Sequence, residues 1–325
     1  MSLIGTLVFG TACLATTSFF NYSPYMAQTS APTSPWADAP IVLVATPQHL
    51  TGKTDLFTAG ATHMALVHNS MIRGFNSIYQ QAPYVAADDE PALARDFVQY
   101  ALTWASFVTS HHHDEEDNLF VQVSTLLHDD TVWAETRREH DAFIDGVAQF
   151  QTYLQSTLSS ELSADELLRI MDSFRAPLEE HLHSEVRTIA ALAAHPRAPL
   201  EGSDEAAAAA AVFKAWGKKT VMKAGVLDVV PFFLLNLDRT FEDGRWARWP
   251  PMPAPVRWVL ANVVGTYHGN WWRFASCSSD GSPRELLALE LHAKKKKEKT
   301  GAQQGQAKSA ATSAGENPTA RADEL

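Results

Sequence analysis

The stretch most able to do chemistry is Ser110-His-His-His-Asp-Glu-Glu-Asp-Asn-Leu-Phe120. Three histidines and four acids fall within residues 111–117, inside a strongly apolar pattern. At helical spacing, Phe97, Trp104, Val108, His111, Glu115 and Leu119 share one face, and that face should point into a core. Unpaired ionisable groups are costly to bury, so an inward imidazole and an inward carboxylate need partners. A metal cation suits both, because a neutral imidazole nitrogen and a carboxylate oxygen one turn apart can reach one ion or two adjacent ions. The plainer explanation is a solvated charge run on a helix surface. What separates the two is whether other helices supply matching inward groups.

Three other segments do so. Residues 54–81 read as a first helix, with Phe57, Ala61, Met64, His68, Phe75 and Tyr79 on one face, His68 among them, and His63 about 100° away. The acids and proline of Asp88-Asp89-Glu90-Pro91 start the second helix, which runs to about Leu127 and carries the opening cluster. His112 and Glu116 lie about 100° round from His111 and Glu115, where they either support the inward pair or form a solvated edge. His113 points away. Residues 132–158 form a third helix whose inner face is Trp133, His140, Phe143, Val147, Phe150 and Leu154. Ser163 and Glu166 make a capping box that opens a fourth helix to about Ala194. Its inner face is Leu167, Ile170, Phe174, Leu178, His181, Glu185, Ile189 and Leu192, with Pro177 expected to kink it one turn before His181. A lone histidine on an apolar face is ordinarily a satisfied core residue. Four consecutive helices with one inward histidine each, two of them with a carboxylate one turn on, follow the logic of carboxylate-bridged di-iron bundles.

These residues resemble the hemerythrin family in its HHE cation-binding branch. The resemblance rests on Val67-His68-Asn-Ser-Met-Ile72, His111-His-His-Asp-Glu-Glu116, Glu139-His140-Asp-Ala-Phe143 and His181-Leu-His-Ser-Glu185. The wider stretch 36–278, with Arg73-Gly-Phe-Asn76, Gln81-Ala-Pro83 and Trp271-Trp-Arg-Phe-Ala275, is similar to fungal members. The resemblance implies two non-haem irons held by His68, His111, Glu115, His140, His181 and Glu185, with Glu115 and Glu185 bridging. Zinc or manganese would suit the same ligand types. It also implies O2 or peroxide as a partner. Oxygen-carrying members have a second histidine one turn after the third-helix ligand; here that position is Ile144. Glu139, His112 and Glu116 are the candidates to fill the gap. A site left open goes with reactive chemistry more than with reversible carriage.

Bulk properties narrow the rest. The net charge of −11 argues against nucleic acid as a main partner. Two cysteines, Cys13 and Cys277, exclude a disulfide framework, a thiolate zinc site and a four-cysteine iron–sulfur cluster. Residues 1–37 carry no charged side chain, and residues 3–20 form an apolar stretch that fits a signal peptide or a signal anchor but has no basic leader. Together with the terminal Ala-Asp-Glu-Leu, a near match to an ER-retrieval signal, it points to the ER lumen. A start at Met26 would instead leave a cytoplasmic protein. A membrane partner is expected only if that segment stays as an anchor.

The expected organisation is therefore all-α. Residues 1–35 are an apolar segment and linker, and 36–195 an up-down four-helix hemerythrin-like bundle. Residues 196–290 are a helical, Trp-rich extension packed on it, and 291–325 a disordered tail. Within the extension, helices are expected at 206–223 and 256–274, with an apolar segment at 226–237 too short to span a bilayer. Three functions fit. The first is a di-iron centre that senses, stores or scavenges oxygen or iron. The second is an oxygen-activating enzyme acting on a small organic molecule in specialised biosynthesis. The third is a metal-free helical interaction module in which the histidines and acids pair with one another.

Overall fold

A computed structural model describes residues 36–88 and 90–314. The apolar N-terminal stretch, Asp89 and the Ala-Asp-Glu-Leu end lie outside the described residues. The helices are α1 (Pro47–Thr51), α2 (Leu56–Ala86), α3 (Pro91–Asp114), α4 (Phe120–Leu127), α5 (Ala134–Ser156), α6 (Ala164–Ala191), α7 (Asp204–Ala224), α8 (Val229–Leu235), α9 (Ala254–Asn262) and α10 (Leu287–Ala314). A π-helical turn, Glu115–Leu119, joins α3 to α4, so the two form one continuous rod. Among the described residues no strand occurs, and no helix is long and apolar enough to cross a membrane.

Four rods make the bundle. α2 packs against α3 and α6, and α5 packs against the same two, which closes a ring. Local chemistry sets the starts. Asp55 Oδ1 accepts from Thr58 N (2.9 Å) at the head of α2, and Ser163 Oγ from Glu166 N (3.3 Å) at the head of α6. Pro91 begins α3. Each rod contributes one large aromatic to a layer that fills the bundle: Phe75, Trp104, Phe150 and Phe174, with Trp104 5.4–6.1 Å from the other three ring centroids. Phe75, Trp104 and Phe174 each precede or follow the histidine of their helix by seven residues, so this layer floors the histidine level two turns away.

α2 is buried on more than the one face that its apolar spacing predicts. Its second face is polar and is clamped by backbone. Asn69 bonds both N–H and C=O of Val44 (2.7 and 2.9 Å), and Asn76 does the same for Ile41 (2.9 and 2.8 Å). Ser70 donates to Phe233 O (3.0 Å) and Gln81 to Phe274 O (2.9 Å). Arg73 pairs with Asp238 at 2.8 Å and Asp38 at 3.0 Å. A leading strap and the extension thus close over α2. Gly74 allows the closest approach, since a Cβ there would sit 2.5 Å from Phe232 and 2.9 Å from Trp104.

The extension departs from the sequence reading in two places. The expected helix over 256–274 is α9 followed by two 3-10 turns, Val264–His268 and Trp271–Phe274; Gly265 and Gly269 interrupt the α-helical run. Residues 291–314 of the tail, expected to be disordered, belong to α10. The apolar 226–237 segment does pack on the bundle, with every residue of α8 buried.

Candidate metal centre

The six residues singled out by spacing converge at one level of the bundle. His68 comes from α2, His111 from α3, Glu115 from the π-turn, His140 from α5, and His181 and Glu185 from α6. All are buried, none more than 6% exposed. A seventh joins them: His112, 2% exposed. His112, Glu115, His140 and His181 offer ligand atoms within 4.8 Å of one another, and so do His68, His111 and Glu115. Glu115 belongs to both groups. Glu185 stands across from it, with Oε2 3.4 Å from His68 Nε2 and 3.9 Å from His181 Nε2.

The outer nitrogens fix which ring atoms face inward. His68 Nδ1 donates to Leu182 O (2.8 Å) and His112 Nδ1 to Val108 O (2.8 Å). His140 Nδ1 bonds Glu116 Oε1 (2.9 Å), and His181 Nδ1 bonds Glu139 Oε2 (3.3 Å). Each ring therefore turns Nε2 to the centre. His111 Nε2 lies 2.7 Å from Glu115 Oε1 and 3.4 Å from His68 Nε2, while His112 Nε2 is 3.1 Å from His181 Nε2. Glu116 also pairs with Arg137 (2.8 Å), and Glu139 accepts from Ser184 Oγ. These carboxylates hold the rings from outside, the usual support for metal-ligating imidazole.

Electrostatics makes the arrangement unfavourable without a cation. Burial pushes the His111 imidazole down to about 4 and the His181 imidazole to about 4. Burial and four neighbouring imidazoles hold His112 well below the ordinary histidine value. These rings are neutral at neutral pH and present bare lone pairs. Burial, reinforced by Glu185, pushes Glu115 up, while for Glu185 burial is outweighed by His68, His181 and His140, which bring it down to about 2. Both oxygens of each carboxylate, and His140 Nε2, are buried without a hydrogen-bond partner. His111 Nε2 and Glu115 Oε1 approach to 2.7 Å without forming a hydrogen bond. Orphaned acceptors in this number need a positive centre, and a nitrogen–oxygen donor set suits a divalent ion such as iron, zinc or manganese.

Sequence reasoning left His112 as a support for the inward pair, a solvated edge, or one of three candidates to make up for the histidine that Ile144 replaces. The structure puts it among the inward rings, 4.7 Å from the His140 ring and 4.9 Å from Phe143, with Ile144 half-buried at the core edge. α3 faces two directions at once: His111 points toward α2 and His112 toward α5 and α6, so neighbours 100° apart both face the core. The repeated His-x-x-x-Glu spacing of His112 and Glu116 was the signal. Glu116 and Glu139, the other two candidates, lie outside the rings. His63 and His113 are exposed.

A family model for the hemerythrin HHE cation binding domain matches residues 59–193. A curated protein, dimeric xanthone biosynthesis cluster protein R11 of Cryptosporiopsis sp. (strain 8999), is 30% identical over 270 residues, which cover 81% of this chain and 97% of the relative. No solved structure matches significantly.

Proposed function

Because this chain belongs to the hemerythrin HHE cation-binding family, we propose that its metal-binding bundle holds a non-haem di-iron centre that interacts with O2 or peroxide. His68 and His111 would hold one ion and His112, His140 and His181 the other, with Glu115 and Glu185 within reach of both. The observation that carries this reading is the convergence of five inward Nε2 atoms and two unpartnered buried carboxylates on one level. When bound, a ferrous pair supplies the electrons and the Lewis acidity for binding or reducing an oxygen ligand. The chain's own part is to keep the imidazoles neutral by burial, to aim them through Leu182 O, Val108 O, Glu116 and Glu139, and to exclude water with Phe120 and Phe143. The unequal division of histidines would give the His68/His111 side fewer protein ligands, and an exogenous ligand would bind there.

A second reading, an oxygen-activating enzyme acting on a small organic molecule, is favoured by the relative's association with xanthone biosynthesis and by the extension that closes over the bundle. The test loads the protein with ferrous iron without oxygen and then admits air. Stoichiometric iron and new near-ultraviolet oxo-bridge absorption support the centre. Reversal on removing oxygen favours carriage or sensing, and irreversible oxidation favours scavenging or catalysis. Absence of bound metal, with His111→Ala as stable as the parent, would leave a metal-free helical module.

A further inference from the structure

One helix outside the family-matched residues comes down on the metal centre. α7 lies against α3 and the π-turn. Its hold is slight. Phe213 packs 6.4 Å from Phe57, Trp216 stands 6.4 Å from the His111 ring, and Lys223 Nζ reaches Asp114 Oδ1 at 3.3 Å. Of its described side chains only Ala209 is fully buried. α7 starts at a Ser203 cap and ends at Gly225, which has φ +151° and where a Cβ would collide with Asp228 Oδ1. A helix whose described side chains are nearly all partly exposed, ending at a residue that only glycine tolerates, belongs to the low-stability part of a fold.

The same contact carries a second feature. Trp216 Nε1 and His111 Nδ1 are both buried and without a hydrogen-bond partner. The indole nitrogen can only donate. His111 is the one inward ring with no outer acceptor; the other four have Leu182 O, Val108 O, Glu116 and Glu139. Two nitrogens left unpaired on one side of the centre are expected where an oxygen-bearing partner arrives from outside.

We propose that α7 is a movable cover over the His111 side of the metal centre, latched by Trp216, and that a small hydrogen-bond-accepting ligand enters past it and takes the Trp216 indole N–H. The proposal deepens the metal-centre reading in its ligand-access part, but the cover itself is testable without metal. In the metal-free full-length chain, modification of His111 by diethylpyrocarbonate is followed by peptide mass spectrometry. Trp216→Ala and, separately, Lys223→Ala should each speed it roughly ten-fold, the size of effect expected when a weakly held segment opens more often. Amide exchange across α7 should rise with it, while α3 stays protected. In the iron-loaded chain, Trp216→Phe keeps the ring but removes the donor. Iron content should hold, and azide, the probe, should bind roughly ten-fold more weakly, as for a lost hydrogen bond to a charged group. Unchanged His111 reactivity in both cover variants would overturn the cover, and unchanged azide affinity in Trp216→Phe would overturn the donor role. If the chain takes up no iron, the metal-centre reading fails and the ligand role with it, while the His111 result still decides the cover. Lys223 is largely exposed, so its variant keeps the test sound if Trp216→Ala fails to fold.

Discussion

His112 brings a fifth buried imidazole into the His/Glu cluster. In the proposed di-iron centre, loss of His112 would leave the α5/α6 side with two histidines and the two carboxylates, no more than the His68/His111 side has. His112→Ala should therefore weaken metal binding, read by competition with a chelator, with an unchanged far-ultraviolet spectrum. His113→Ala, one residue on and exposed, should leave iron content unchanged. The outer carboxylates act through the rings they hold. Glu139→Gln, which weakens the grip on His181, should lower metal affinity about 10–100-fold, measured by competition with a chelator. At the α2 cap, partial burial pushes the Asp55 carboxyl up, but hydrogen bonds from Thr58 and neighbouring backbone outweigh it, and its pKa is lowered. A depressed folded-state value means the cap's contribution is present above the unfolded-state pKa of about 3.9 and is lost as pH falls through the folded value. Asp55→Ala should cost about 1 kcal/mol at neutral pH, and the gap from the parent should close in acid, as seen in urea melts across that range.

At the scale of elements, the π-turn Glu115–Leu119 does what a regular helix does not. An extra residue within one turn lets His111 and Glu115 face the centre while Phe120, Val123 and Leu127 still reach the core beyond it. Such turns recur at functional sites. Deleting the exposed Asp117 should restore regular winding, keep the helix content and abolish tight metal binding, because Glu115 or Phe120 must then swing off its face. Stoichiometry by metal analysis and helicity by circular dichroism report the two halves of this expectation. Where α2 meets α8 the limit is space: Gly74→Ala places a methyl 2.5 Å from Phe232 and should destabilise by about 1–3 kcal/mol, as overpacked cores do. Thermal melts would register that loss.

The whole molecule is a bundle that depends on its covering. The polar clamps of α2, from Asn69 and Asn76 to the leading strap and from Ser70, Arg73 and Gln81 to the extension, leave buried polar groups unpaired if either cover is removed. Residues 36–195 produced alone should therefore be less soluble and melt less cooperatively than the full chain, in contrast to what a self-sufficient domain would do. Metal binding stabilises the folded state by mass action, about 2.7 kcal/mol when free ligand is 100 times Kd, so a chelator should lower the melting temperature of the full chain, and by less in His111→Ala, which lacks one of the ligands.

The fold class, the four rods and the inward placement of His68, His111, His140 and His181 are legible in the sequence, because a 3.6-residue period sorts each helix into faces without reference to its neighbours. The caps at Ser163 and Pro91 are local for the same reason. What the period cannot fix is how wide an arc of a helix is enclosed. α3 is surrounded on two sides, so His112 as well as His111 faces inward, and α2 is enclosed again by a strap and an extension that no single-helix pattern contains. The division of Glu116 and Glu139 from the inner ligands, the π-turn, and the descent of Trp216 onto His111 depend on distances between segments far apart in the chain, and only tertiary packing sets those.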